Sequence, residues 1–300
     1  MEKIFATGLT GHLGIYVLDA LEDAGIIPEQ VRGISRNEDW VSTDLFTCFQ
    51  GDVANKESLR RAMAGCSVVL HMAAEVSFRE SEESRKDMFD TNVKGTQNVV
   101  DVAQELGIRK IVFLSAAATR ISPHFTIVSE GTRAEYPNDC TYVHTKLWAE
   151  GIIEHSKIPD KTILYLANTR LDLFDRAIYG RRVVFCPPGL TNTIDPARAA
   201  QIIVSAVLTD RQPKRLLIHG EDQTYRGLLR YAAYKKCRQV WVIRLPHWTK
   251  RIAQFIASMG RDYYFTPFTV GQAYSIKVFQ SLFQGGRNEH DSRREQPALV

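Results

Sequence analysis

Long apolar runs are the first thing this chain of 300 residues lacks. No uninterrupted hydrophobic stretch approaches the ~20 residues that a membrane-spanning helix needs, so no transmembrane segment is expected. Cysteine is sparse: Cys48, Cys66, Cys140, Cys186 and Cys237 form an odd, widely spaced set without a Cys-x-x-Cys pair. That argues against a disulfide framework and against a metal site of ordinary zinc-ligand spacing. Nor does one sign of charge dominate, since 38 basic against 34 acidic side chains leave a net charge of +4. The cations read as scattered rather than drawn into a stripe, so nucleic acid is not an expected partner. With 19 glycines and 11 prolines, collagen and low-complexity disorder are excluded. The chain runs from Met1 straight into strand-like Ile4-Phe5-Ala6 without a secretory leader, and a cytoplasmic location is expected.

What the chain does have is apolar material, 44% of its residues, enough for one large core with an appended lobe. Strand-like runs at 4–6, 31–34, 46–49, 68–72, 111–114 and 162–166 alternate with helix-period segments such as 15–24, where Val17, Leu18 and Leu21 share a face. Such alternation predicts an α/β fold, a doubly wound parallel sheet of the Rossmann type with a smaller C-terminal α/β lobe. Residues 1–168, with 190–215 returning to them, are expected to form the nucleotide-binding domain. Residues 169–189 and 216–284 are assigned to a substrate lobe, and the polar stretch 285–300 to a flexible tail.

Directly after the first strand stands Thr7-Gly8-Leu9-Thr10-Gly11-His12-Leu13-Gly14, and an amphipathic helix follows at once. A dinucleotide pyrophosphate needs backbone N–H groups at a helix N-terminus, and glycines permit the tight turn and the close approach. The order strand, glycine loop, helix makes residues 8–14 a phosphate-binding candidate beyond a bare motif match. At the end of the second strand an acid would bind the adenosine ribose, whereas a cation suits a 2′-phosphate. Here Ser35, Arg36 and Asn37 occupy that place, which favours NADP(H) with Arg36 as the clamp and leaves NAD(H) as the other cofactor.

Further motifs follow in order: Gly51-Asp52-Val53, His71-Met72-Ala73-Ala74, Thr91-Asn92-Val93-Lys94-Gly95-Thr96 and Tyr142-Val143-His144-Thr145-Lys146. With them the chain resembles the extended or atypical short-chain dehydrogenases/reductases, the NAD-dependent epimerase/dehydratase family. The likeness spans about residues 1–215 and names no substrate. It implies that Asp52 and Val53 hold the adenine, that the turn at Met72, Ala73 and Ala74 passes the bridging phosphates and ribose, and that Asn92 supports that turn.

Tyr142 and Lys146 lie four apart on a helical segment and so rise from one face. A phenol of ordinary pKa ~10 is a poor acid or base at neutral pH, and a neighbouring ammonium stabilises its phenolate. Tyr142 is thus the candidate acid/base of a hydride transfer, with Lys146 as its support and a ligand of the nicotinamide ribose, and Ser115 as third member. Two departures stand out. Where relatives carry a second hydroxyl residue after the fifth strand this chain has Ala116, leaving Ser115, Thr119, Ser122 or Tyr142 alone to hold the reacting oxygen. The sixth strand reads Tyr165-Leu166-Ala167-Asn168 where relatives have Arg-Pro-Ala-Asn.

The expected activity is an NADP(H)-dependent oxidoreductase acting on a carbonyl or secondary alcohol of a small metabolite. A nucleotide-sugar epimerase or dehydratase with bound NAD, and a redox-silent dinucleotide-binding sensor, are the alternatives. His12 reads as a solvent-facing loop residue and His71 as structural. A helix at 248–259 with Trp248, Ile252 and Phe255 on one face is expected to pack on its own domain rather than on a membrane. By resemblance, a homodimer through the long crossover helices is expected.

Overall fold

The computed structural model describes residues 2–77, 80–121, 127–132, 140–169, 172–210, 212–259 and 278–279. Its centre is a seven-stranded sheet in the order β10-β7-β5-β4-β1-β2-β3, with every neighbouring pair parallel. The strands are β1 (Ile4–Thr7), β2 (Val31–Ser35), β3 (Thr47–Gln50), β4 (Val68–His71), β5 (Lys110–Ala116), β7 (Asp160–Leu166) and β10 (Arg215–Ile218). All four residues of β1 and of β4 are buried, as befits strands covered on both faces.

Helices α1 (Gly14–Asp23), α2 (Lys56–Met63), α3 (Glu82–Met88), α4 (Gly95–Glu105), α5 (Thr141–His155) and α7 (Pro196–Leu208) are laid down in the crossovers. In α1 the buried Val17, Leu18 and Leu21 face the sheet. The helix stops at Gly25 with φ +79°, where Gly25 N–H donates to Glu22 and Ile26 N–H to Leu21, the bonding of a glycine C-cap. The chain steps from β1 outward through β2 and β3, then returns to lay β4, β5, β7 and β10 on the other side. The strand order reverses between β1 and β4, and ligands of open α/β sheets bind outside the C-terminal strand ends at such a reversal.

The lobe is built on β8 (Val183–Cys186) paired in parallel with β12 (Trp241–Arg244), backed by α6 (Asp172–Ile178) and α8 (Tyr225–Lys235). Its core is small, centred on Ile178, Val184, Cys186, Leu229 and Val242. Two further pairs are β9 (Leu190–Thr193) with β11 (Glu221–Thr224), antiparallel, and β6 (Ile127–Val128) with β13 (Val278–Phe279).

Several sequence expectations shift. The boundary drawn at residue 215 cuts through β10, whose four residues all pair with β7 in the large sheet. The short elements α6, β9 and β11 carry too little periodicity to be read beforehand. Helix α9 (Lys250–Met259) follows a short turn, and Trp248 and Ile252 are exposed instead of packed. The tail 285–300, and residues 260–277 of the expected lobe, lie outside the described residues.

Candidate active site

The phosphate loop bridges β1 and α1. Gly8 has φ +81°, and a Cβ there would stand 2.9 Å from the backbone nitrogen of Ala73, so only glycine lets this turn lie against the turn after β4. A Cβ on Gly14 would fall 1.8 Å from the Leu9 carbonyl oxygen. Gly11 N–H donates to Gly8 and Gly14 N–H to Gly11, while Gly11 and His12 face solvent and Thr10 and Leu13 are half-buried. Leu9 sends its side chain into the core, so only its backbone is available to a ligand.

Whether this loop fits a dinucleotide is tested by the start of α1. Helices α2, α3, α7 and α8 have their first N–H groups capped by Asn55, Ser81, Asp195 and Thr224. No side chain caps α1 and no acid stands in its first turn. The helix end beside the glycine cradle therefore keeps its donors for an anion, and the residues fit the pyrophosphate of a dinucleotide.

At the end of β2 the buried Ser35 Oγ accepts the Asn37 N–H at 3.1 Å, and Asn37 Oδ1 accepts from Asp39. Arg36 projects into solvent between them, and among the described residues no ion pair engages it. Asp52 Oδ1 accepts the Ala54 N–H at 2.8 Å, and the buried Val53 packs on the bare face of Gly95.

The turn after β4 is held by buried polar side chains. Thr7 Oγ1 accepts the N–H groups of Met72 at 3.2 Å and Ala73 at 3.0 Å, and also meets His71 Nδ1 at 2.7 Å. His71 Nε2 lies 2.9 Å from Thr96 Oγ1. Burial, reinforced by the charge on Lys146, pushes the His71 imidazole down to about 3. Asn92 sits in a π-helical turn, Phe89–Lys94, between α3 and α4. Its amide accepts from Glu75 N–H at 2.8 Å and donates to the Glu75 carbonyl at 2.9 Å and to Thr145 Oγ1 at 3.0 Å. Ala74 lies between these two anchors. A single side chain so ties the β4 turn to α5.

Tyr142 and Lys146 stand on α5, one turn apart and both buried. The carboxylate of Glu80 accepts the Thr141 N–H and hydroxyl, fixing the start of the helix. Lys146 Nζ donates to the Leu114 carbonyl at 2.7 Å and lies 4.4 Å over the Phe113 ring. Burial lowers its ammonium to about 8, with the nearby Glu150 opposing that shift. Tyr142 joins a small apolar cluster with Met88, Cys140 and Val143, against which Ala116, Ala118 and Leu147 pack.

Ser115 is held elsewhere. Its hydroxyl donates to Glu150 Oε1 at 2.5 Å, and the other oxygen of Glu150 takes Arg120 Nη2 at 2.7 Å. Arg120 lies 4.5 Å over the Tyr165 ring, whose phenol is raised by burial. The methyl of Ala116, not the hydroxyl of Ser115, packs in the cluster around Tyr142. Thr119 Oγ1 donates to the Ala116 carbonyl, and Ser122 lies outside the described residues. Sequence reasoning missed Thr7, Glu80, Arg120 and Glu150. Only Glu150 carried a signal, since it stands four residues beyond Lys146 on the same helix face.

The model of the NAD dependent epimerase/dehydratase family matches residues 4–158. Sterol demethylase protein B of Methylococcus capsulatus is 30% identical over 241 residues, 75% of this chain and 72% of that protein. The 2-alkyl-3-oxoalkanoate reductase of Shewanella oneidensis is 32% identical over 153 residues, 50% of this chain but only 38% of its own length. Among solved structures, the Bordetella bronchiseptica enzyme WbmH in complex with NAD+ has a TM-score of 0.67 at 19% identity, covering 82% of this chain and 86% of that one, a likeness of fold. The glycine cradle at the switch point and the paired Tyr142 and Lys146 thus stand in a chain that belongs to the NAD-dependent epimerase/dehydratase family of extended short-chain dehydrogenases/reductases, NAD(P)-dependent enzymes.

Proposed function

We propose that the protein is an NADP(H)-dependent oxidoreductase that interconverts a carbonyl and a secondary alcohol on an apolar substrate, with Tyr142 as acid/base. The observation that carries this reading is the buried pair on α5: Tyr142 with Lys146 one turn along, on the helix that Asn92 ties to the turn after β4. The bound nicotinamide supplies or accepts the hydride. Tyr142 donates the phenolic proton to the carbonyl oxygen, or takes it back from the alcohol, and the Lys146 ammonium stabilises the phenolate that forms. Gly8, Gly11 and the open N-terminus of α1 hold the pyrophosphate, and Arg36 meets the 2′-phosphate with Ser35 and Asn37 beside it. Asp52 and Val53 take the adenine side, and Met72, Ala73 and Ala74 the ribose and phosphate side.

Ser115 is the weakest member of the sequence-derived set, and we place it in a positioning role through Glu150, leaving the reacting oxygen to Tyr142. An apolar substrate is supported by the small apolar cluster in which Tyr142 packs and by the names of two relatives, which refer to a sterol and to a 2-alkyl-3-oxoalkanoate.

Calorimetric titration with NADPH and NADH, followed by turnover of a panel of apolar ketones, tests the proposal. NADPH is expected to bind at least about tenfold tighter than NADH, with Arg36→Ala erasing the difference. Tyr142→Phe is expected to keep NADPH affinity and lose on the order of 100-fold or more in turnover. Preference for NADH removes the role of Arg36. Undiminished turnover by Tyr142→Phe removes the mechanism, and copurified, non-exchanging NAD turns the reading toward an epimerase or dehydratase.

A further inference from the structure

The strand pair β8–β12 is apolar on both faces. Val184, Cys186 and Val242 point inward, to the core that α6 and α8 complete. Outward, the register sets Trp241 beside Val183 and Ile243 beside Phe185, and these side chains are 76%, 46%, 46% and 61% exposed. A sheet face that meets only water ordinarily alternates to polar residues; this one carries four large apolar side chains side by side. Trp248 and Ile252 follow within a few residues, at the start of α9, and are also more than half exposed.

The stretch of chain that supplies β12 and α9 carries charge of one sign. From Thr224 to Met259 there are eight lysines and arginines and no aspartate or glutamate, although acidic residues outnumber basic ones in the rest of the chain. Exposed Arg181 and Arg182 lead into β8, and Lys250 and Arg251 open α9, whereas Arg244 closes β12 on the Val242 side and donates to the Pro188 carbonyl at 3.1 Å. The cations that read as scattered along the sequence therefore gather at the rim of the apolar face. Others, such as Arg230 on the outer side of α8, lie behind it and contribute only long-range attraction, and Lys236 is paired with Asp175 at 3.4 Å.

We infer that this face docks on the surface of an anionic phospholipid bilayer. Trp241, Phe185 and Trp248 enter the boundary between headgroups and acyl chains, and the rim arginines and lysines meet lipid phosphates. Nucleic acid would satisfy the cations but leave Val183 and Ile243 in water, whereas a lipid surface takes both. The attachment is superficial, because no helix among the described residues is long and apolar enough to cross a membrane. It replaces the expectation that the α9 face packs on its own domain, and it stands independently of the reaction proposed above.

Cosedimentation of the full chain with phosphatidylcholine vesicles, with and without phosphatidylserine, tests it at physiological salt. Binding is expected to the anionic vesicles and to be roughly tenfold or more weaker to the neutral ones. Phe185→Glu combined with Trp241→Glu, and separately Arg181→Gln with Lys250→Gln and Arg251→Gln, are each expected to lower anionic binding about tenfold or more, with circular dichroism unchanged. If the glutamate variant fails to fold, the glutamine variant and the loss of binding on adding salt decide the matter. Equal binding to both vesicles, no binding at all, or variants that bind like the parent overturn the inference. So does an oligomer that the glutamate variant dissociates, which gives the face to a second copy. A nucleic acid that binds where vesicles do not overturns it as well.

Discussion

His71 shows what one buried side chain settles. Thr96 Oγ1 donates to the Asn92 carbonyl at 2.6 Å, so it can only accept from His71, and the ring proton sits on Nε2. Nδ1 then accepts the Thr7 hydroxyl, whose oxygen in turn receives the N–H groups of Met72 and Ala73. The ring is neutral, held down to about 3 by burial and by the charge of Lys146. Its sign in the stability is therefore fixed: from about pH 6.5 down to about 3 the unfolded chain takes up a proton that the folded chain refuses, and stability falls as acid is added. The slope approaches about 1.4 kcal/mol per pH unit below the unfolded value. Urea unfolding at pH 7.5, 6 and 5 is expected to show this loss, and His71→Asn to flatten the slope although it lowers stability at pH 7.5. A variant with the parent's slope would remove the assignment.

At the scale of elements, the unit β1, loop and α1 was legible because its signals are local: an apolar strand, glycines at fixed offsets and a helix of period 3.6 ending in Gly25. Tyr142 and Lys146 were legible for the same reason, one turn apart on one helix. The contacts that hold α5 were not, since Glu80 with Thr141, Asn92 with Thr145 and Glu150 with Ser115 join residues far apart in the chain. Nor does alternation along β5 reveal that the Ser115 hydroxyl has a buried carboxylate waiting for it. Asn92 is the most exposed to test, because three of its bonds join the β4 turn to α5. Asn92→Ala is expected to cost about 2–3 kcal/mol in chemical denaturation and to weaken NADPH severalfold, since the Glu75 N–H and carbonyl lose their partner. Asn92→Asp keeps only the acceptor for the Glu75 N–H and sets an oxygen against the carbonyl, so it restores little. A change below about 0.5 kcal/mol in both variants would show that the π-turn holds the site without this side chain.

The whole molecule joins a large core, which fills both faces of the seven-stranded sheet, to a small one between β8–β12 and α8. Every residue proposed for the dinucleotide belongs to the sheet body or its edge turns, so on that proposal binding energy is expected to enter the large core and not the lobe. On the proposed function, NADPH at a free concentration 100 times its dissociation constant is expected to stabilise the folded body by about 2.7 kcal/mol and to raise its melting temperature by several degrees. Leu229, buried in the lobe against Val184 and Val242, is the control. Leu229→Ala is expected to destabilise the lobe by roughly 2–5 kcal/mol through the cavity it leaves. The NADPH dissociation constant should stay the same, because among the described residues no phosphate-loop or α5 residue belongs to the lobe core. Calorimetric scans of both proteins with and without NADPH distinguish the cases. Two transitions, of which only the upper moves with NADPH, place the dinucleotide in the sheet body alone. A Leu229→Ala protein that has lost NADPH affinity would instead mean that the lobe shapes the crevice, and the site would have to be redrawn to include it.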